Sequence, residues 1–450
     1  MKIYNDLLLK FESPDWTLNP AFCVFDTIIE KNPSIIEMMK DDIMGSEPFS
    51  EFGRQDTPSV EQIVRAAIFK EMRGYDYREL EYAQSDSRIC EQFIKLDGRK
   101  PFSFQMFQKY ISRIKSETIE LAIIEINKIA LSEGLEDVQS ITQDTTVVKS
   151  NIHYPTNSAL VWDCIRTCTR LLEDLKKEIT DLNFTDYTRA AKKTHFKINV
   201  THKKELRDEL FCNQLILFTK VINETSNAVK KKSGNLIANA IQSKLSQLLP
   251  LMIQVYNMTF FKEYEGKKVP NGQKIFSIFE PHTDIIVKGQ REVQFGHKIN
   301  IASGKSNLIL DIQVLTGNPS DKSLYQPTMD NIIKNYGIVP RDSTADGGFA
   351  SMANREYAQT NGIVNIVFNK VVGKMQNIAS SLNMETRLKK WRSASEAVIS
   401  NLKRGFNIRT CNWKGWLHFK AKVMWSVMAY NLRVITALMA EKITAKMQEC

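Results

Sequence analysis

No aspartate occurs between Lys370 and Cys450, and the same stretch holds 15 Lys and Arg against 4 Glu. Its net of +11 exceeds the whole-chain formal charge of +10, so the other 369 residues sum to about −1. Residues 1–57 lean the other way, with 5 basic and 11 acidic side chains. A basic C-terminal stretch on an otherwise balanced chain suggests a polyanion partner, most often nucleic acid. A basic solvated face without a partner has the same composition, so charge alone does not decide.

Other absences narrow the classes further. The seven cysteines are odd in number and widely spaced, which excludes a disulfide framework and fits reduced thiols in a cytosolic compartment. Cys164 and Cys168 could share a helix face, but no second Cys/His pair stands at zinc-finger spacing, so helix packing is the reading. The N-terminal MKIYNDLLLKFESPDW lacks a signal-peptide pattern. Asn431 and Arg433 interrupt the most apolar late stretch, residues 423–440, which reads as a buried or partner-facing helix and not a membrane span.

What is present divides by hydrophobic period. Residues 58 to about 133 read as helical, opening on a Ser59 cap with Glu61 as its capping-box partner and closing the first helix near Gly74. Such short helices suit a helix-turn-helix DNA-binding unit or a plain bundle. At DVQSITQDTTVVKS the pattern turns to β-branched alternation, a strand carrying Asp144. Residues 158–266 return to helix. Two strands, 292–302 and 307–317, are joined by SGKS as a hairpin. Helix, strand (GIVPRDSTADGGF), helix, strand (363–368) and a helix bearing Glu396 follow. Without the helical insert, this order predicts an α/β (α+β) fold: a mixed five-stranded sheet with flanking helices, as in RNase H-like folds.

Three acids stand at telling places in that order: Asp144 in the first strand, Asp346 at the end of the fourth, Glu396 on the last helix. The first and fourth strands lie side by side in such a sheet, so the three carboxylates would meet at one end. Phosphodiester attack needs an activated hydroxyl and relief of charge on the leaving oxygen, and two Mg²⁺ ions held by carboxylates supply both. Gly347 and Gly348 would let the backbone turn sharply there. Each residue also has a plainer reading. Asp144 could be a strand residue facing water, ADGG an ordinary turn, and Arg392–Glu396 a surface i,i+4 pair worth a few tenths of a kcal/mol. Asp342 is a rival second acid, nearer the strand start.

RSASEAVISNLK has Arg392, Glu396 and Lys403 at the spacing R-x3-E-x6-K. In this, and in the blocks QDTTVVKSNIHYPTNSALVWDCIRTCTRLL, SIFEPHTDIIVKGQREVQFGHKINIA and TADGGFAS, the chain resembles bacterial insertion-sequence DDE transposases over about residues 58–440. Lys389 stands where that family's motif has Tyr. The resemblance implies a DNA transposase catalysing metal-dependent end cleavage and strand transfer, with Asp144, Asp346 and Glu396 as catalytic ligands of Mg²⁺ or Mn²⁺. It implies DNA contacts from Arg392, Lys403, Arg404 and Lys298. The expected partners are double-stranded DNA (terminal inverted repeats and target) and a second copy of the chain in a synaptic homodimer. No membrane is expected, and the setting is the bacterial cytoplasm, at the nucleoid when DNA is bound. The expected domains are an acidic segment 1–57, a helical DNA-binding domain 58–135, a catalytic domain 136–157 with 267–410, a helical insertion 158–266 and a helical segment 411–450. The alternatives are a catalytically inactive, transposase-derived DNA-binding protein and a non-specific nuclease of the same fold.

Overall fold

A computed structural model describes residues 19–45, 57–288, 292–371, 373 and 375–449; much of the acidic segment 1–57 lies outside them. Seven helices come first: α1 (Pro20–Lys31), α2 (Ser34–Met44), α3 (Val60–Arg73), α4 (Tyr77–Asp86), α5 (Arg88–Ile94), α6 (Phe104–Ile111) and α7 (Ser116–Ser132). Strand β1 (Ser140–Ser150) leads to α8 (Asn157–Glu178), α9 (Thr188–Val200), α10 (Lys204–Lys230), α11 (Leu236–Thr259) and β2 (Asp284–Lys288). Then come β3 (Glu292–Ser303), β4 (Ile309–Val314), α12 (Tyr325–Tyr336), β5 (Asp342–Ala345), α13 (Met352–Thr360) and β6 (Asn365–Phe368). The chain closes with α14 (Leu382–Trp391), α15 (Ser393–Gly405), β7 (Thr410–Cys411) and α16 (Trp416–Glu449). The described residues fall into two compact units, Met1–Lys149 with His297–Cys450, and Ser150–Gly296.

In the first unit, β4, β3, β1, β5 and β6 lie side by side in that order, with β7 added to β1. The β3–β4 pair is antiparallel, and β1–β5 and β5–β6 are parallel. That is the mixed α/β sheet expected of an RNase H-like fold. With β2 and β7 the described strands number seven, not five. β1 starts at Ser140 and not Val138, because Val138 adopts a left-handed backbone (φ 57°) with its N–H bonded to the Glu136 carboxylate. Leu308 and Gly304 close the expected hairpin, where the Gly304 N–H donates to the Leu308 carbonyl at 2.9 Å.

The helices of this unit share one core with the sheet. α3 is capped by Ser59, but its box partner is Gln62, the third residue of the helix; Glu61 binds Arg65 at 2.9 Å instead. Through Glu71 every residue of α3 is buried, so no face of it up to that point is open to a ligand. Arg65 lies wholly inside, neutralised by Glu61, Asp26 and Glu30. Glu71 is likewise enclosed between Lys70 and Lys422.

α16 is long and apolar enough to cross a membrane, yet Ala421–Leu432 is buried in this core. Asn431 explains its own interruption of the apolar run. Its side-chain amide donates to the Ile309 carbonyl at 2.8 Å and accepts the Ile309 N–H at 3.0 Å, completing strand β4 as another strand would.

The second unit packs α8, α10 and α11 around Cys164, Cys168, Leu172, Phe218, Leu245 and Met252, with α9 against them. The two cysteines are core residues, and the cysteines of the described residues are free thiols. β2 pairs antiparallel with the first residues of β3, from Lys288↔Glu292 to Asp284↔Gly296.

Candidate active site

Between Ile141 and Val148, β1 is buried at every residue except Asp144 and Thr145. A central strand covered on both faces opens at that one point. The parallel register with β5 says what stands beside the opening. Ser140 pairs with Asp342 and Gln143 with Ala345, so the same offset carried one residue further sets Asp144 alongside Asp346. Neighbouring strands lie about 4.8 Å apart, and open α/β sheets present ligand sites beyond the carboxyl ends of their parallel strands.

Asp346 follows β5 and begins a single 3-10 turn, Gly347–Phe349, without a side-chain capping bond. The two glycines after it are not required for a left-handed turn, since neither has positive φ. They are required for space. A Cβ on Gly347 would lie 2.9 Å from the Lys370 carbonyl oxygen, and one on Gly348 2.7 Å from an Asp321 carboxylate oxygen.

The third acid comes from a broken helix. α14 ends at Trp391 and α15 starts at Ser393, with Arg392 at the junction. Ser393 and Ser395 donate their hydroxyls to the carbonyls of Lys390 and Arg392, both at 2.7 Å, drawing those carbonyls away from the regular ladder. Glu396 falls in the first turn of α15, where the helix dipole favours an anion, and Lys403 and Arg404 fall in the last, where it favours cations.

The Arg392 guanidinium joins the three acids. Its Nη2 lies 2.5 Å from Glu396 Oε1, and its Nη1 lies 3.7 Å from Asp144 Oδ2 and 4.0 Å from Asp346 Oδ1. The Arg392 side chain is only 14% exposed, against 18% for Asp144, 49% for Asp346 and 61% for Glu396. Ser395 Oγ adds a long hydrogen bond to Asp144 at 3.4 Å. The carboxylates thus form a rim open to solvent over one half-sunken cation.

Of the other expected residues, Lys403 and Arg404 line a cleft of about 490 Å³ with Asn407, Arg409, Thr410 and Asn412. Lys298 donates to Asp321 at 3.0 Å and to the Pro319 carbonyl at 2.7 Å. Lys389 pairs with Glu385 at 2.7 Å, and that pairing holds the Glu385 carboxyl below its ordinary range. Asp342 is buried at the start of β5, bonded to Arg341, Asn365 and Ser140. Burial would raise its pKa, but the Arg341 guanidinium and the Asn365 amide outweigh that and lower it.

Hard carboxylate oxygens that face solvent are the donors Mg²⁺ and Mn²⁺ take while keeping several waters. The donor chemistry of the three acids therefore fits a divalent metal. Their present arrangement is that of an ion-pair cluster: among the described residues no group of three His, Cys, Asp or Glu side chains stands ready to hold a metal, and Arg392 lies between these three.

Residues 262–432 match the family model of the transposase DDE domain. That stretch, less than half of the chain, is similar to the transposase DDE domain. The match spans Asp346, Arg392, Glu396 and Lys403; Asp144 lies before it. No curated protein and no solved structure matches the chain.

One residue beside the acids escaped the reading of the sequence. Asp321, just before α12, accepts from Lys298 and, at 3.4 Å, from the Thr145 hydroxyl, and it sits against Gly348. It touches the neighbour of Asp144 and the turn after Asp346 together. The turn-forming residues GNPSD were its only signal, and a turn does not say what its Asp will meet.

Proposed function

We propose that this chain is a DDE transposase that cleaves the ends of an insertion sequence and joins them to target DNA, using Asp144, Asp346 and Glu396 as its catalytic acids. The observation that carries the reading is their convergence on Arg392 where the parallel β1–β5 ladder ends. These three carboxylates would hold divalent metal, Mg²⁺ or Mn²⁺. When bound, such ions activate the attacking hydroxyl and offset charge on the leaving oxygen of an in-line displacement.

The chain's own residues supply position. Lys403, Arg404 and Arg392 offer charge-assisted hydrogen bonds to strand phosphates. Lys298, through Asp321, steadies the turn after Asp346. Gly347 leaves the room that the Lys370 backbone fills. Arg404 and Arg409 make no ion pair with a carboxylate among the described residues, which leaves both guanidinium groups for a polyanion.

The same reading assigns the catalytic domain to 136–157 with 267–410, recognition of the terminal inverted repeats to 58–135, and the helical insertion to 158–266. It places the protein in the bacterial cytoplasm, acting as a homodimer on paired ends.

The test is a cleavage assay on the element's own end DNA with Mg²⁺, comparing wild type with Glu396→Ala. Metal-dependent nicking at the end, lost in the variant, is expected. Nicking that survives the substitution, or equal cutting of unrelated duplex, would overturn the reading.

A further inference from the structure

Arg392 is the shared counter-ion of three carboxylates that come from three different elements, and it does not lie on the protein surface beside them. Its Nη1 faces both aspartates and its Nη2 faces Glu396. The guanidinium hydrogen-bonds Glu396 and stands 3.7 and 4.0 Å from the two aspartates, close enough to attract them by charge where a metal cation would act. The Glu396 oxygen bonded to Nη2 presents less free lone-pair density to a metal, and a divalent ion beside the guanidinium meets like-charge repulsion at all three acids. The two cations are therefore alternatives at one place.

The position of Arg392 in the chain makes exchange feasible. It sits at the junction of α14 and α15 on helical backbone, and a change of its side-chain rotamer leaves that backbone in place. Outside, the nearest use for it is a phosphate. The C-terminal turn of the same helix carries Lys403 and Arg404 on the rim of the basic cleft.

We infer that Arg392 is an exchangeable internal cation: it holds the three acids together until divalent metal displaces it, and the displaced guanidinium then binds the DNA strand. Metal entry and strand capture are thereby coupled through one side chain. Reciprocity follows, since a phosphate that draws Arg392 outward raises the affinity of the acids for metal by the same factor. The inference rests on the reading of the three acids as a metal site, and it assigns Arg392 a second state beyond a DNA contact.

The experiment is a Mn²⁺ titration of the DNA-free, full-length protein, following free Mn²⁺ by electron paramagnetic resonance. Wild type is compared with Arg392→Gln, Arg392→Lys and Glu396→Gln, and circular dichroism melts confirm that each variant is folded. Arg392→Gln removes the competing charge and should bind Mn²⁺ about ten-fold more tightly, equivalent to about 1.4 kcal/mol. Arg392→Lys keeps one charge but lacks the fork that reaches several carboxylates, and should fall between the two. Duplex end DNA should tighten Mn²⁺ binding in wild type and have no such effect in Arg392→Gln. Equal or weaker Mn²⁺ binding by Arg392→Gln overturns the exchange. If Glu396→Gln lowers Mn²⁺ binding while Arg392→Gln gains nothing, the metal site stands and the exchange alone fails. If Glu396→Gln binds Mn²⁺ as wild type does, the metal-site reading fails with it.

Discussion

Asp144 and Asp346 directly follow the last pair of the parallel β1–β5 ladder, Gln143 and Ala345, and the Nη1 of Arg392 lies within 4.0 Å of both. The relationship follows from a ladder in which residue n of β1 meets residue n + 202 of β5. A one-residue slip of that register would turn one aspartate to the opposite face. The buried amide of Gln143, bonded to Asn300, the Leu324 carbonyl and Thr328, pins β1 one residue before the first acid. A polar network placed there holds position where apolar packing would tolerate sliding.

The two acids of β5 and its turn should separate cleanly on substitution. Asp346→Asn removes a half-exposed carboxylate from the site and should leave the melting temperature nearly unchanged, while end cleavage falls about a thousand-fold or more. Asp342→Asn strips a buried carboxylate of its Arg341 and Asn365 bonds. It should cost about 1–3 kcal/mol of stability and preserve cleavage per folded molecule. The reverse pattern in paired melts and cleavage assays would make Asp342 the second acid.

Gly347→Ala and Gly348→Ala both add a Cβ where there is no room, yet they should differ. At Gly347 the obstacle includes the Lys370 carbonyl, which is backbone and gives little. At Gly348 it is the far end of Asp321, which can move, though only by loosening its hold on Lys298 and Thr145. Gly347→Ala should therefore lose about 1–3 kcal/mol in denaturant melts. Gly348→Ala should lose less stability and proportionally more cleavage. Equal stability losses would show that Asp321 is held too firmly to yield.

The order of elements was legible in the sequence because the strands are β-branched and the long helices are periodic. β7, with two residues, is below what periodicity can register, and β2, though longer than β5 or β6, went unread. The start of β1 was misread by two residues because Val138, a residue suited to strands, is held left-handed by a bond to Glu136. The site residues were visible by type and spacing. Their mutual contact was not, since it depends on a helix break at Arg392 that two serine hydroxyls produce and that no hydrophobic pattern marks. Asp321 stayed hidden because its role is set by what folds against it.

Stability should fall as pH rises from 3.8 to about 7 and level off above that, and Asp311 supplies the reason. Burial on β4 pushes its carboxyl up to about 7 from 3.8, opposed by the Asn331 and Gln313 amides and reinforced by the nearby Glu120. The folded state thus keeps a proton that the unfolded state has released. The corresponding stability is fully present below pH 3.8 and is lost as pH rises through about 7. Its upper bound is about 4 kcal/mol. Urea midpoints at pH 5 and pH 8.5 should differ markedly in wild type and much less in Asp311→Asn, where no charge can form. Parallel pH profiles for the two proteins would show that Asp311 ionises in the folded state as it does in the unfolded one.

The basic cleft makes a prediction about salt that does not depend on the metal. Each cation that neutralises a phosphate releases about one counter-ion, so the logarithm of the binding constant falls with the logarithm of salt by about 0.9 per contact. Arg404→Ala and Arg409→Ala remove two such cations from a cleft that also holds Lys403. The double variant should bind end DNA more weakly and with a salt slope shallower by about 2. Because phosphates carry no sequence, unrelated duplex should lose the same amount, leaving the ratio of end to non-end affinity unchanged. Fluorescence anisotropy with both duplexes between 50 and 200 mM salt reads all three quantities. An unchanged slope would place the bound strand elsewhere on the protein, and a loss confined to end DNA would mean that these arginines read bases.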